Sequence, residues 1–255
     1  METTVTPQRR QFLESHTPER IRARLKAPTT HSYLRDFVYG AIDGTVTTFA
    51  VVSGVAGAGL STSVIIILGM ANLLGDGFSM AASNYLGTKT EEELRKRARR
   101  TEEQHIAEFP EGEREEIRQI FAQKGFDGEP LEHVVDVITS DRKRWVDTML
   151  VEELGLSLQG PSAIRAALTT LVAFVLVGLI PLLAFILEMV SPVSIASPYL
   201  VSTLLTAVAF FLVGAGKSWF VDESWYRAGT ETLLIGGGAA VLADVAGLLL
   251  AGIVH

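Results

Sequence analysis

The chain has 255 residues, 48% of them hydrophobic and 20% charged, with a net charge of −7 and no cysteine. The missing cysteine excludes a disulfide framework, a thiolate zinc site and a cysteine nucleophile. So apolar a composition does not suit an ordinary soluble domain, and so charged a one does not suit a purely membrane-embedded chain. Segregation of the charges resolves the conflict. Seven Lys and Arg precede Phe37, thirteen lie from Lys89 to Arg165, and only Lys217 and Arg227 follow. Eighteen of the 29 acids fall between Glu91 and Glu153. The expected fold is all-α: a polytopic membrane protein with five transmembrane helices and a charged three-helix lobe inserted between helices 2 and 3. Its parts are a basic N-terminal segment (1–35), two spans (36–87), the charged lobe (88–161) and three more spans (162–255).

Residues 1–35 hold no apolar core of the kind a cleaved secretory signal needs. Thr17-Pro18-Glu19 reads as a cap followed by proline at the first helical position, opening a short helix through Lys26. Ile21 and Leu25 among Arg20, Arg22 and Arg24 suit a helix lying on an anionic membrane face, and suit a solvated tail equally well. Two spans follow, 37–59 and 62–86, each with the roughly 20 apolar residues needed to cross about 30 Å of hydrocarbon. Gly40 and Gly44 form a GxxxG pair, which marks a close helix approach of the kind subunits also use.

Each of these spans carries an acid, Asp43 in the first and Asp76 in the second. An ionisable group at membrane depth costs at least about 2.5 kcal/mol and faces a polar path or a partner. Asn72, Asp76, Met80 and Asn84 are spaced four apart, placing amide, carboxylate and thioether donors along one helix stripe. Such donors suit the path of a metal cation, with Asn72 and Asn84 lining it. The same pattern also suits a polar helix–helix contact.

In the lobe, Thr90-x-x-Glu93 reads as a capping box that opens a helix running to Phe109, where Pro110 ends it. A second helix fits Glu111–Lys124, stopped by Gly125. The apolar face Leu131, Val134, Val135, Ile138 marks a third, which Ser140-Asp141 kinks or restarts before Gly155. Glu102 and His105 share a face, as do Glu113 and Glu116, and Met149 and Glu153 with Glu152 alongside. Carboxylate with imidazole suits Fe(II), Mn(II), Co(II) or Zn(II), and the thioether argues against Mg(II) and Ca(II). Equally, charge runs such as EEELRKRARR decorate solvated helix faces. Three further spans fit 164–188, bent at Pro181, then 197–216 and 230–254, with Asp244 a third intramembrane acid and Lys217 reaching for the interface. Lys and Arg occupy the N-terminus, the lobe and the 217–229 loop only, so these lie on the cytosolic side.

The stretches DFVYGAIDGTVTTFAVVSGVAGA, NLLGDGFSMAASNYL and RWVDTMLVEELGL resemble the vacuolar iron transporter-like family, which includes nodulin-like, bacterial and archaeal members. The resemblance runs from Arg35 to near the end of the chain. It implies a homodimer, joined through its transmembrane helices, that exports Fe(II) or Mn(II) from the cytosol in exchange for protons. It maps the intramembrane site onto Asp43 and Met80, and the lobe ligands onto Glu102, Glu113, Glu116, Met149 and Glu153. The chain departs from its relatives in carrying Asn72 where an acid is common, with Asp76 one turn later, and His105 where a glutamate is usual. The metal is then substrate and no prosthetic group is expected, nor is nucleic acid; IGGGAA at 235–240 lies in an apolar span and reads as helix packing. A prokaryotic plasma membrane is the expected location, or a vacuolar membrane in a eukaryote. The competing expectation is a membrane-tethered di-iron ferroxidase of ferritin-like type. Glu102-x-x-His105 has the spacing for it, but no second Glu-x-x-His pair is present, since Glu129 and His133 are four apart and Glu132 is adjacent to His133.

Overall fold

A computed structural model describes residues 7–27, 31–190 and 195–254, leaving out the side chains of residues 7, 8, 10, 11, 240, 243, 244 and 246–254. Asp244, read from the sequence as an intramembrane acid, therefore lies outside the described side chains. The described residues are helical throughout, with no strand among them. The N-terminal unit, residues 1–31, contains α1 (Pro7–Ser15) and α2 (Pro18–Lys26). Thr17 caps α2 by accepting from the Arg20 N–H at 3.4 Å, and Pro18 occupies the first turn, as its fixed φ favours. No residue of α2 is buried.

The remaining unit contains α3 (Leu34–Gly57), α4 (Thr62–Glu108), α5 (Pro110–Gln123), α6 (Gly128–Thr139) and α7 (Arg142–Glu152). It continues with α8 (Ala163–Gly178), a 3-10 turn at Ile180–Leu182, α9 (Leu183–Val190), α10 (Pro198–Lys217) and α11 (Trp225–Val254). Among the described residues four stretches are long and apolar enough to cross a bilayer: α3, α4, α8 running on into α9, and α10. Pro181 sits inside the 3-10 turn that separates α8 from α9, where its missing N–H breaks the α-helical ladder.

Helix α3 is the hub, packing on α4, α8, α10 and α11. Gly40 and Gly44 make this possible. A Cβ on Gly40 would overlap the Thr170 carbonyl of α8, and one on Gly44 the Phe174 carbonyl. The GxxxG pair is thus used inside the chain, to bring α3 and α8 backbone to backbone, and is not free to join subunits. At one end of this seam Asn84 of α4 donates to Asp36 Oδ1 at 2.8 Å and to Thr170 Oγ1 at 2.7 Å, tying three helices together.

Helix α4 corrects the expected boundary at residue 90. It runs unbroken for 47 residues, roughly 70 Å at 1.5 Å per residue, more than twice the hydrocarbon thickness. Thr90 caps nothing, because its Oγ1 donates back to the Leu86 carbonyl at 2.8 Å. The second span and the first helix of the lobe are therefore one rod. Against its outer end fold α5, α6 and α7, so the lobe has three helices of its own plus the α4 extension. Its core is Ile106, Ile117, Leu131, Val135, Ile138, Trp145, Val146, Met149 and Leu150. The break at Ser140-Asp141 is a restart: Asp141 Oδ1 accepts from the Arg144 N–H at 2.7 Å and caps α7. Lys217, at the end of α10, is held between Glu231 at 3.2 Å and Glu223 at 3.7 Å.

Candidate metal centre

Several of the lobe acids are matched by a cation. Glu92 bonds Lys96 at 2.5 Å, Glu132 bonds Arg118 at 2.7 Å, Asp136 bonds Arg114, and Asp147 takes both Arg99 and Lys143. These are the solvated helix faces that a charge run ordinarily makes. Glu152, singled out in the sequence, belongs with them, bonding Lys124 at 2.5 Å.

Glu102 and Glu113 behave differently. Each is only 5% exposed, and no lysine or arginine pairs with either among the described residues. Glu102 reaches inward from α4. Glu113 comes from the first turn of α5, which Pro110 starts in a new direction immediately after α4 ends at Glu108. This sharp turn brings together carboxylates eleven positions apart. His105, one turn on from Glu102, places Nδ1 3.4 Å from Glu113 Oε1. One ligand atom from each of Glu102, His105 and Glu113 falls within 4.8 Å of the others, a spacing that can hold a divalent ion. The second oxygen of Glu113, Oε2, is buried without a hydrogen-bond partner. Buried polar atoms are nearly always satisfied, so this oxygen is placed to accept a water or coordinate an ion.

The electrostatics extend the cluster. Burial pushes the Glu113 carboxyl up to about 7, with the charges of Glu116 and Glu102 adding to it. Burial also raises Glu102, partly opposed by His105 and reinforced by Glu116. Glu153 is raised by burial and by Glu102 and Glu116, so it too faces this group. Met149, one turn before Glu153, is fully buried in the lobe core. Four carboxylates thus crowd one imidazole with no neutralising base among them.

The transmembrane residues form a second group. Asp43 of α3 is half-buried, and Asp76 of α4 stands exposed on the surface of the chain, close enough for the two charges to interact. Asn72 Nδ2 donates to Thr47 Oγ1 at 3.2 Å, and Thr47 in turn donates to the Asp43 carbonyl at 2.9 Å. Met80 packs against the apolar cluster of Val52, Leu73, Phe174 and Leu182. Asn84 is engaged in the three-helix knot with Asp36 and Thr170. Asp36 escaped the sequence reading; its signal was an acid at the mouth of a span, in register with an Asn on the next helix.

Helices able to cross a bilayer, joined to a lobe that gathers carboxylates and an imidazole at one point, define a membrane protein with a candidate metal centre outside its apolar helices. The VIT family matches residues 34–248. Among similar proteins is Vacuolar iron transporter 1 of Arabidopsis thaliana, 30% identical over 241 residues, 94% of this chain and 92% of that protein. The Vacuolar iron transporter of Toxoplasma gondii is 31% identical over 229 residues, 87% of this chain and 76% of that one. That of Centaurea cyanus is 32% identical over 216 residues, 84% and 86% of the two chains. The chain belongs to the VIT family, as its span and lobe motifs predicted.

Proposed function

We propose that this membrane protein is a divalent-metal transporter that takes Fe(II) or Mn(II) from the cytosol and exchanges it for protons, with Co(II) and Zn(II) also fitting its donors. Similarity to proteins named as iron transporters supports iron as cargo. The observation that carries the reading is the convergence of Glu102, His105 and Glu113 with the orphaned Glu113 Oε2. Both glutamates are buried, and neither has a lysine or arginine partner among the described residues.

In this reading the lobe loads M(II) at Glu102, His105 and Glu113, with Glu116, Glu153 and Met149 as further donors and Glu152 at the rim. The ion passes to Asp43, Asp76 and Met80, flanked by Asn72. Protons arriving from the far side release it, because a protonated carboxylate is a poor ligand. Asp76 is exposed on the face of α4 that also carries Asn72 and Met80. A bare carboxylate at membrane depth is costly, and a second copy of the chain laid on this face would cover it. That supports a homodimer whose path runs along the interface. Helix α11, 30 residues long, serves as the fifth span. The distribution of Lys and Arg then sets the N-terminus and the lobe in the cytosol. The ferroxidase alternative finds less support, since Glu132 is occupied by Arg118 and the second ligand pair is missing.

The test is uptake of Fe(II) or Mn(II) into vesicles holding the reconstituted protein under a pH gradient. Wild type should accumulate metal only while the gradient stands. Uptake by Asp43→Ala equal to wild type removes the proposed path, and oxygen consumption on adding Fe(II) would favour the enzyme.

A further inference from the structure

A cleft of about 740 Å³ opens beside the lobe, where α4 leaves its apolar segment and the chain from Leu156 to Ile164 returns to it. Tyr85, Lys89, Lys96 and Arg99 lie along one face of α4 with Arg95 next to them, and all five line it. Glu92 is the one acid on its wall, and Glu92 is bonded to Lys96. Arg99 is taken by Asp147. Lys89 and Arg95 form no ion pair with an acid among the described residues, so two cations are left uncompensated. The Arg95 guanidinium lies against Gly160, where a Cβ would overlap it. Lys89 is steadied above the Tyr85 ring, 5.9 Å from its centroid.

The depth of the cleft says what it meets. On its inner side Leu86, Ile164 and Leu168 are exposed, each by more than half, and they continue into α4 and α8 as bilayer-facing surface. On its outer side the charged lobe begins. A basic recess at that boundary sits at headgroup level, facing the leaflet that carries anionic lipids and attracts Lys and Arg. Its volume is within the range of small-molecule sites, roughly 300–1,000 Å³. The geometry points to a binding site for the phosphate headgroup of an anionic phospholipid, clamped by Lys89 and Arg95 with its acyl chains along Ile164 and Leu168. The occupant bridges the α4 rod and the strand of chain that links the lobe to α8. This rests on reading α4 and α8 as membrane spans, and is independent of which metal the lobe takes.

The test uses full-length protein in detergent, titrated with dioctanoyl phosphatidic acid, with dioctanoyl phosphatidylcholine and with inorganic phosphate in separate arms. Retained lipid is counted by native mass spectrometry and binding read from the melting temperature. Wild type should hold one phosphatidic acid per chain and melt higher with it, while phosphatidylcholine does neither. Lys89→Ala/Arg95→Ala should weaken binding roughly 25-fold. Gly160→Ala keeps every charge but displaces Arg95, and should weaken it about fivefold or more. Lys96→Ala, whose ammonium Glu92 already holds, should change it less than about threefold. Equal loss for Lys96→Ala and Lys89→Ala/Arg95→Ala would mean diffuse attraction and overturn the site, as would wild-type affinity in Gly160→Ala. Inorganic phosphate binding as tightly as the lipid would overturn the lipid assignment.

Discussion

Glu113 is the residue at which structure and proton chemistry meet. Its carboxyl has an ordinary value of 4.5 and is pushed to about 7 in the folded lobe, first by burial and then by Glu116 and Glu102. An ion can be held there only once that proton has gone. Apparent metal affinity of the lobe should therefore fall roughly eightfold from pH 7.5 to 6. Calorimetric titration with Mn(II) checks this, with Glu113→Gln expected to flatten the profile and weaken binding. The same shift has the opposite sign for stability. Between pH 4.5 and 7 the folded state holds more protons than the unfolded chain, so the empty lobe loses stability as pH rises through that window. Glu113→Gln removes the buried charge and should raise the metal-free melting temperature at pH 8, by an amount equivalent to about 2–3 kcal/mol, while changing it little at pH 5. A lower melting temperature at pH 8 would show that Glu113 is not strained by burial.

At the scale of helices, what the sequence displayed depended on whether a signal was local. The cap at Thr17, the break at Ser140-Asp141, the stop at Gly125 and the interruption at Pro181 all act within a turn of themselves and were legible. The boundary at residue 90 was not, because Thr90-x-x-Glu93 satisfies the capping-box pattern while Lys89, Glu91, Glu92, Leu94 and Arg95 are strong helix formers that carry the rod straight through. Gly87, isolated within such a run, weakens a helix by only about 1 kcal/mol. Pairings between helices were hidden for another reason: Gly40 and Gly44 announce a close approach without naming the partner, and α8 supplies it 130 residues later through Thr170 and Phe174. Gly44→Ala should accordingly lower the melting temperature sharply, since its Cβ meets fixed backbone. Gly54→Ala on the same helix, with nothing within 4 Å, should be neutral or stabilising by up to about 1 kcal/mol. Parallel thermal melts in detergent separate the two, and equal effects would deny the seam its role. The lobe cluster was readable in part, because Glu102 with His105 and Glu113 with Glu116 are helical pairs. The turn at Phe109-Pro110 that folds one pair onto the other is tertiary geometry, as is the diversion of Glu152 to Lys124.

For the whole molecule, the continuous α4 rod carries both groups of candidate residues, with Asn72 and Asp76 at one end and Glu102 and His105 at the other. Two carboxylate groups on one helix can nonetheless be told apart by kinetics. If the lobe gathers metal and Asp43 passes it, Glu102→Gln/Glu113→Gln should raise the metal concentration for half-maximal uptake by roughly tenfold or more and leave the maximal rate nearly intact. Asp43→Asn should do the reverse, abolishing uptake while lobe affinity stays at its wild-type value. Leu94 is exposed on the rod between the two groups. Leu94→Pro would kink or break the rod at a cost of about 3 kcal/mol and touch neither site. It should keep metal binding by the lobe, whose core belongs to α5, α6, α7 and Ile106, yet slow uptake by about tenfold, because ions delivered off-axis no longer reach the path. Uptake curves across metal concentration under a fixed pH gradient, with binding measured on the same preparations, distinguish all three variants. Wild-type uptake in Leu94→Pro would mean that the lobe feeds the membrane only through solution and that the rod is mere connection.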